Sequence, residues 1–283
     1  ITFTNIIVIL INRVMYQNLF LDIKKMKMHV WDDQRGHLEV PYRKYAYVKD
    51  GNGQHVSLYG DRLKKVTNYD KDDPTLHESD VPPTTRFLVD NYGDSDEMSV
   101  GHRVMFFDIE VEVTDGFPDV QKAQNVITSI ALYDCITEKY FTYCFDPEKR
   151  IKSYTKDDEV VEFYDTEYEM LNKFFQKYLE IRPTIVSGWN SEFFDIPYLY
   201  NRAVRILGPE VANLLSPISQ VLYSEYKKKH TIAGVSSLDY LQLYRQFTFG
   251  QKSSYRLDYI GEVEVGMKKV DYEGTLNDLY DND

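Results

Sequence analysis

Cysteine is scarce in this chain, and so is positive charge. Cys135 and Cys144 are the only two cysteines among 283 residues, and they fall in neighbouring predicted strands without metal-site spacing. This excludes a disulfide framework and reads as two small buried apolar side chains in a reducing compartment. With 33 Lys and Arg against 45 Asp and Glu, the formal net charge is −12. Such a balance argues against a protein that coats nucleic acid through a basic surface. It leaves room for acidic clefts in which bound ions carry the phosphate. Long hydrophobic runs are missing as well. Ile1 to Leu10 is apolar, but Asn12 and Arg13 interrupt it far short of a membrane span. A basic leading region and a small-residue cleavage site are also absent, so neither a signal peptide nor a membrane partner is expected. The chain does not open on Met, and residues 1–14 are read as a segment that need not belong to the fold.

What the chain does contain is aromatic and acidic. Its 24 Tyr and 15 Phe can fill cores or stack on unpaired bases. At 43% hydrophobic and 28% charged it has the composition of a folded protein, long enough for two ordinary domains. The stretch Val104-Met-Phe-Phe-Asp-Ile-Glu-Val-Glu-Val113 sets Asp108 and Glu110 two residues apart in an apolar run. On a strand both would project from one face, continued by Glu112, with Phe107, Ile109, Val111 and Val113 on the other. Two neighbouring carboxylates repel each other unless a cation lies between them, and hard oxygen ligands suit Mg²⁺ or Mn²⁺. A solvated acidic face on an amphipathic strand is the other reading of the same residues.

A second stretch, Val186-Ser-Gly-Trp-Asn-Ser-Glu-Phe-Phe-Asp-Ile-Pro-Tyr-Leu-Tyr-Asn-Arg202, follows a short apolar strand and delivers Asp195 to a helix start. Together the two stretches resemble the 3′–5′ exonuclease region of family B replicative DNA polymerases, T-even-like phage branch. Phe107-Asp-Ile-Glu110 is similar to that family's first exonuclease motif, and Asn190 to Asp195 (N-x-x-x-F-D) to its second. The resemblance spans roughly residues 15–283, is specific over 104–118 and 186–202, and is loose before residue 100.

The resemblance implies a ribonuclease H-like α/β (α+β) domain, a mixed sheet flanked by helices, over residues 104–283. A smaller β-rich N-terminal domain would occupy residues 1–103. It implies two divalent ions, Mg²⁺ or Mn²⁺, held by Asp108, Glu110 and Asp195, which would be both metal ligands and catalytic residues. Asn190 and Phe194 would shape the pocket for the terminal nucleotide. Phe117, in Asp115-Gly-Phe-Pro118, matches a loop whose aromatic wedges against the last bases; an apolar loop anchor is its equal rival reading. The implied partners are the 3′ end of single-stranded DNA and a primer–template, with a sliding clamp as a further candidate. The implied location is the cytoplasm of a phage-infected bacterium. The family's third motif, Tyr-x-x-x-Asp, is absent; Tyr280-Asp281-Asn282-Asp283 has the wrong spacing. The expectation is therefore an N-terminal piece that lacks the polymerase domain, with an incomplete site and weak or no nuclease activity. A stand-alone exonuclease of the same carboxylate superfamily and a non-catalytic nucleic-acid-binding lobe are the alternative readings.

Taken in order, the chain predicts strands at 17–22, 27–32, 45–48 and 55–59, with turns at 34–36 and 50–53. Residues 68–83 read as a linker, Arg86 to Val89 as a further strand, and a domain boundary falls near 100–103. Strands at 104–113, 126–133 and 139–145 then precede a helix at 165–181 capped by Asp165 or Thr166. Within that helix Met170, Leu171, Phe174, Phe175, Tyr178 and Leu179 recur at helical spacing as core. A strand at 184–187 and a helix at 194–207 follow. Val221 to Ile232 predicts an exposed hairpin with its tip near Lys227, Lys228 and Lys229. Those lysines, with Lys268 and Lys269, are candidate nucleic-acid contacts or ordinary solvated clusters. Ser237 to Phe247 reads as a helix whose apolar face includes Leu238, Leu241 and Tyr244. A further helix starts near Tyr255. Asp239 and Asp258 are expected to make structural hydrogen bonds or caps.

Overall fold

The computed structural model describes residues 14–268 apart from Ser95 and Asp115. The readings of residues 1–13, Lys269 and the Tyr280 to Asp283 run lie outside the described residues. Contacts divide the chain into two compact units between Gly101 and His102.

In the first unit, β1 (Tyr16–Asp22), β2 (Lys27–Asp32) and β3 (Gly36–Pro41) form an antiparallel meander. Asp32 accepts from the backbone N–H groups of Gln34 and Arg35 and so fixes the β2–β3 turn. A second sheet has the order β5 (His55–Val56), β6 (Arg62–Val66), β4 (Ala46–Lys49), β7 (Leu76–His77). The strand expected over Arg86 to Val89 is instead part of helix α1 (Pro83–Tyr92). Four mixed residues cannot distinguish strand from helix, and Pro83 in the first helical turn was the available signal. The helix sends Phe87 into a small core with Met28 and Val30.

The second unit is built on one seven-stranded sheet, order β11 (Tyr154–Lys156), β12 (Glu159–Tyr164), β10 (Lys139–Phe145), β9 (Ile127–Asp134), β8 (Val104–Val111), β13 (Ile185–Gly188), β16 (Ser236–Asp239). The sheet is mixed: β8 runs antiparallel to β9 and parallel to β13. Helices α2 (Glu167–Ile181) and α3 (Asp195–Ile206) flank it. Thr166 caps α2 by accepting from Glu169 N, and its hydroxyl donates to the Glu169 carboxylate. Met170, Leu171, Phe174 and Phe175 are buried against Met105, Phe107, Ile109 and Val111 of β8 in one core. Leu179, also predicted there, is 42% exposed. Arg202 of α3 makes a buried ion pair with Glu167 of α2 and donates to the carbonyls of Ala123 and Gln124.

A short helix α4 (Pro209–Ala212) and a 3₁₀ turn lead to the hairpin β14 (Val221–Ser224), β15 (Lys229–Ile232). Ser236 to Asp239 is a strand, so the helix expected from Ser237 begins only at Tyr240 as α5 (Tyr240–Phe247). Leu238 accordingly leaves the predicted apolar helix face and is 40% exposed. Helix α6 (Leu257–Val265) ends the described chain. Both cysteines are free and half-buried rather than fully buried, and burial pushes the Cys144 thiol up to about 11. Among the described residues no helix is long and apolar enough to cross a membrane.

Candidate active site

The alternation of β8 separates its two jobs. Phe107, Ile109 and Val111 are buried beneath the helices, while Asp108 is exposed and Glu110 half-exposed on the opposite face. Val113, predicted on the apolar face, lies beyond the strand end and is 41% exposed. The pairing with β9 slips beside Glu110: Glu110 opposes Ser129 and Val111 opposes Ile127, leaving Thr128 as an extra residue. Such a bulge bends a strand and re-aims the side chains next to it.

Asp195 reaches β8 from the other side. β13 pairs with β8 over Ile185 to Ser187, and the pairing ends where Ser187 meets Phe106. Beyond that point the β8 edge has no strand neighbour on this side among the described residues, and Asp195 Oδ1 accepts from Ile109 N at 3.1 Å. Gly188 permits this departure, because a Cβ there would stand 2.5 Å from the Phe107 carbonyl oxygen and 3.0 Å from Ser191 Cβ. Asp195 opens α3 rather than capping it; the cap position belongs to Phe194, which offers no side-chain bond. Burial, at 3% exposure, and then the charge of Asp108 push the Asp195 carboxyl up to about 7, against the pull of the Ile109 N–H; Asp239 adds to the rise. Asp108 and Asp195 thus share one electrostatic environment.

The turn between β13 and α3 is held by Asp239, as a capping or structural carboxylate should. Its Oδ1 accepts from Asn190 N (3.1 Å) and Leu241 N (2.9 Å), and its Oδ2 from Glu192 N (3.2 Å). Asn190 sits in the left-handed region at φ 65°, a conformation Asn tolerates better than most residues. The Phe194 ring lies 5.2 Å from Phe117 and 5.7 Å from Tyr198, and Phe117 is 81% exposed. A cavity of about 470 Å³ adjoins Asp108, walled by Phe106, Tyr133, Tyr140, Trp189 and Tyr240. The hairpin lysines differ among themselves. Lys227 is exposed, Lys228 pairs with Glu225 across the turn, and Lys229 pairs with Glu192. Glu192, Gly188 and Trp189 were not singled out from sequence; Gly188 and Trp189 stood inside the second motif string without an assigned task.

The donor chemistry of Asp108, Glu110 and Asp195 is all carboxylate oxygen, which fits a hard divalent cation. Among the described residues, however, no three or more His, Cys, Asp or Glu side chains already converge closely enough to hold an ion. The structure presents Asp108 and Glu110 on one face of β8 and Asp195 beside Ile109 N, not a closed coordination cage.

The fold and this acidic edge define a mixed α/β domain with carboxylates where antiparallel and parallel pairing meet. The model of the DNA polymerase family B exonuclease domain matches residues 94–260, and the chain belongs to that family. It is similar to the DNA-directed DNA polymerase of Escherichia phage RB69, at 34% identity over 206 residues, 62% of this chain and 23% of that protein. Similarity to the DNA-directed DNA polymerase of Enterobacteria phage T4 is 32% over 221 residues, 68% of this chain and 24% of the relative. DNA polymerase 1 of Saccharolobus solfataricus is 27% identical over 230 residues, 72% of this chain and 24% of the archaeal protein. The chain spans about a quarter of the length of these relatives.

Proposed function

We propose that the chain carries the 3′–5′ proofreading exonuclease of a DNA-directed DNA polymerase and removes nucleotides from single-stranded 3′ ends. The observation that carries this reading is the approach of Asp195 to the Asp108-bearing strand within a matched exonuclease family. The strand order, with β8 between antiparallel β9 and parallel β13, supports a ribonuclease H-like class for residues 104–283. Residues 1–103 form a separate, smaller, strand-rich domain in this reading. The phage relatives support a place of action inside an infected bacterium.

Domains of this family depend on metal ions. Asp108, Glu110 and Asp195 would hold them, Mg²⁺ or Mn²⁺ and two in number. Bound there, the ions would lower the pKa of a water and offset charge on the phosphate and departing 3′-oxygen. The protein's own residues do the rest. Ile109 N fixes one Asp195 oxygen, so the carboxylate is oriented before substrate arrives. Phe117 and Phe194 offer two ring faces to unstacked bases, and Asn190 stands at the turn beside them. Unstacking a base costs a few kcal/mol, and a ring face returns about 1–3 kcal/mol per base. A mismatched end, already partly unstacked, reaches the site more readily without any reading of sequence. Lys227 and Lys228 are the proposed backbone contacts of the hairpin; a primer–template and a sliding clamp are proposed partners of the wider protein.

The test is degradation of a 5′-labelled single-stranded DNA oligonucleotide with Mg²⁺ or Mn²⁺. Stepwise 3′ shortening that is slow in this chain and absent in Asp108→Ala is the expected result. Shortening that survives in the variant would overturn the residue assignments.

A further inference from the structure

The segment that delivers Asp195 is fastened to the β14–β15 hairpin at two points. Before Asp195, Lys229 Nζ of β15 stands 3.0 and 2.8 Å from the two carboxylate oxygens of Glu192. The side chains are only 30% and 15% exposed. After Asp195, the His230 ring lies 4.8 Å from Tyr200 of α3 and 5.0 Å from Tyr223 of β14. His230 is buried and sits one rung in from the turn, so this contact holds the hairpin's ladder rather than its exposed tip. Exposed ion pairs contribute little because two free side chains must be ordered to form them. Here the backbone of both partners is ordered beforehand: Glu192 N is already held by Asp239, and Lys229 is fixed by its β-pairing with Ser224.

We propose that Glu192 and Lys229 are positioning residues for the carboxylate site. Their pair makes the hairpin a splint for the Asn190 to Phe194 turn, and Lys229 is engaged with protein rather than with DNA. The inference rests on the proposed exonuclease reading only for its kinetic consequence. The splint itself is a statement about the chain. Any displacement of the hairpin by a bound strand would then be felt at Asp195 through Glu192, so hairpin position and site geometry form one variable.

The experiment compares Glu192→Gln, Lys229→Met, Lys229→Arg and the Gln/Met double variant in the whole chain. Hydrogen exchange is followed at residues 190–196 and 221–232, beside single-strand trimming over a range of salt. Glu192→Gln and Lys229→Met should each speed exchange in both segments by roughly three- to tenfold, without moving the global unfolding midpoint. The double variant should go no further than either single. In trimming, kcat should fall about three- to tenfold with KM unchanged, because a misplaced carboxylate impairs the step and not the docking. Lys229→Arg should restore both readouts, and the salt dependence should stay as in wild type. Exchange unchanged in both segments would overturn the proposal. So would a Lys229→Met variant that raises KM and flattens the salt slope by about 0.7 while Glu192→Gln does nothing, since that marks a phosphate contact. If the wild-type chain trims nothing, the kinetic consequence drops out and the exchange result alone decides the splint.

Discussion

Asp195 is 3% exposed, yet its carboxyl must be ionised to act as a ligand. Its carboxyl titrates near 7 instead of the ordinary 3.8, first because it is buried and then because Asp108 is close. The sign of the consequence follows. Below about pH 4 the group is protonated in folded and unfolded chains alike and costs nothing. Between pH 4 and 7 the folded chain keeps a proton the unfolded one has lost, so stability falls as pH rises. Above 7 the full penalty stands, on the order of 4 kcal/mol by the size of the displacement. In chelator, Asp195→Asn should raise the unfolding midpoint at pH 8 and leave it nearly unchanged at pH 4, since the amide oxygen still accepts from Ile109 N. Equal loss at both pH values would show that the carboxylate is not strained. A strand's period puts Asp108 and Glu110 on one face, and the motif resemblance singles out Asp195, because both signals are local in sequence. Sequence could not show Asp195 meeting Ile109, which lies 86 residues away.

Elements were readable in proportion to their length and regularity. Helix α2 announces itself through Met170, Leu171, Phe174, Phe175 and Tyr178, all buried. β11 and β12 were passed over, and β16 was absorbed into a helix, because three to six residues carry too little periodicity to separate the states. The tie between α2 and α3 was invisible in sequence: Arg202 stood in the motif string without a partner. In the fold it meets Glu167, which also accepts from Ile127 N at 2.9 Å, and the two side chains are 6% and 8% exposed. Removing one charge strands the other. Arg202→Met should cost about 3–5 kcal/mol in denaturant unfolding, and Glu167→Leu with Arg202→Met distinctly less. A double variant as unstable as the sum of both singles would deny the pair its coupling.

At the scale of the whole molecule the acidic balance sets the terms of binding. A net charge of −12 with few exposed hairpin lysines leaves little to neutralise phosphate. If two backbone contacts are made, as proposed for Lys227 and Lys228, single-strand affinity should fall with salt at a log–log slope of about −1.4. Fluorescence anisotropy in chelator measures it; a slope several times steeper would reveal a basic surface outside the hairpin tip. Composition made this property legible because charge simply adds. Partnership does not add: Lys228 and Lys229 look equivalent in sequence, but Glu225 and Glu192 take them to different neighbours.

The early parting of β13 from β8 has one more consequence, for variation. The ladder between β13 and β8 ends at Ser187, and the segment that follows docks on β8 through the Asp195 side chain rather than through its backbone. Changes of sequence in that segment can therefore retune the acidic edge while the scaffold's pairing stays intact. Gly188, hemmed in by the Phe107 carbonyl, is where that freedom stops.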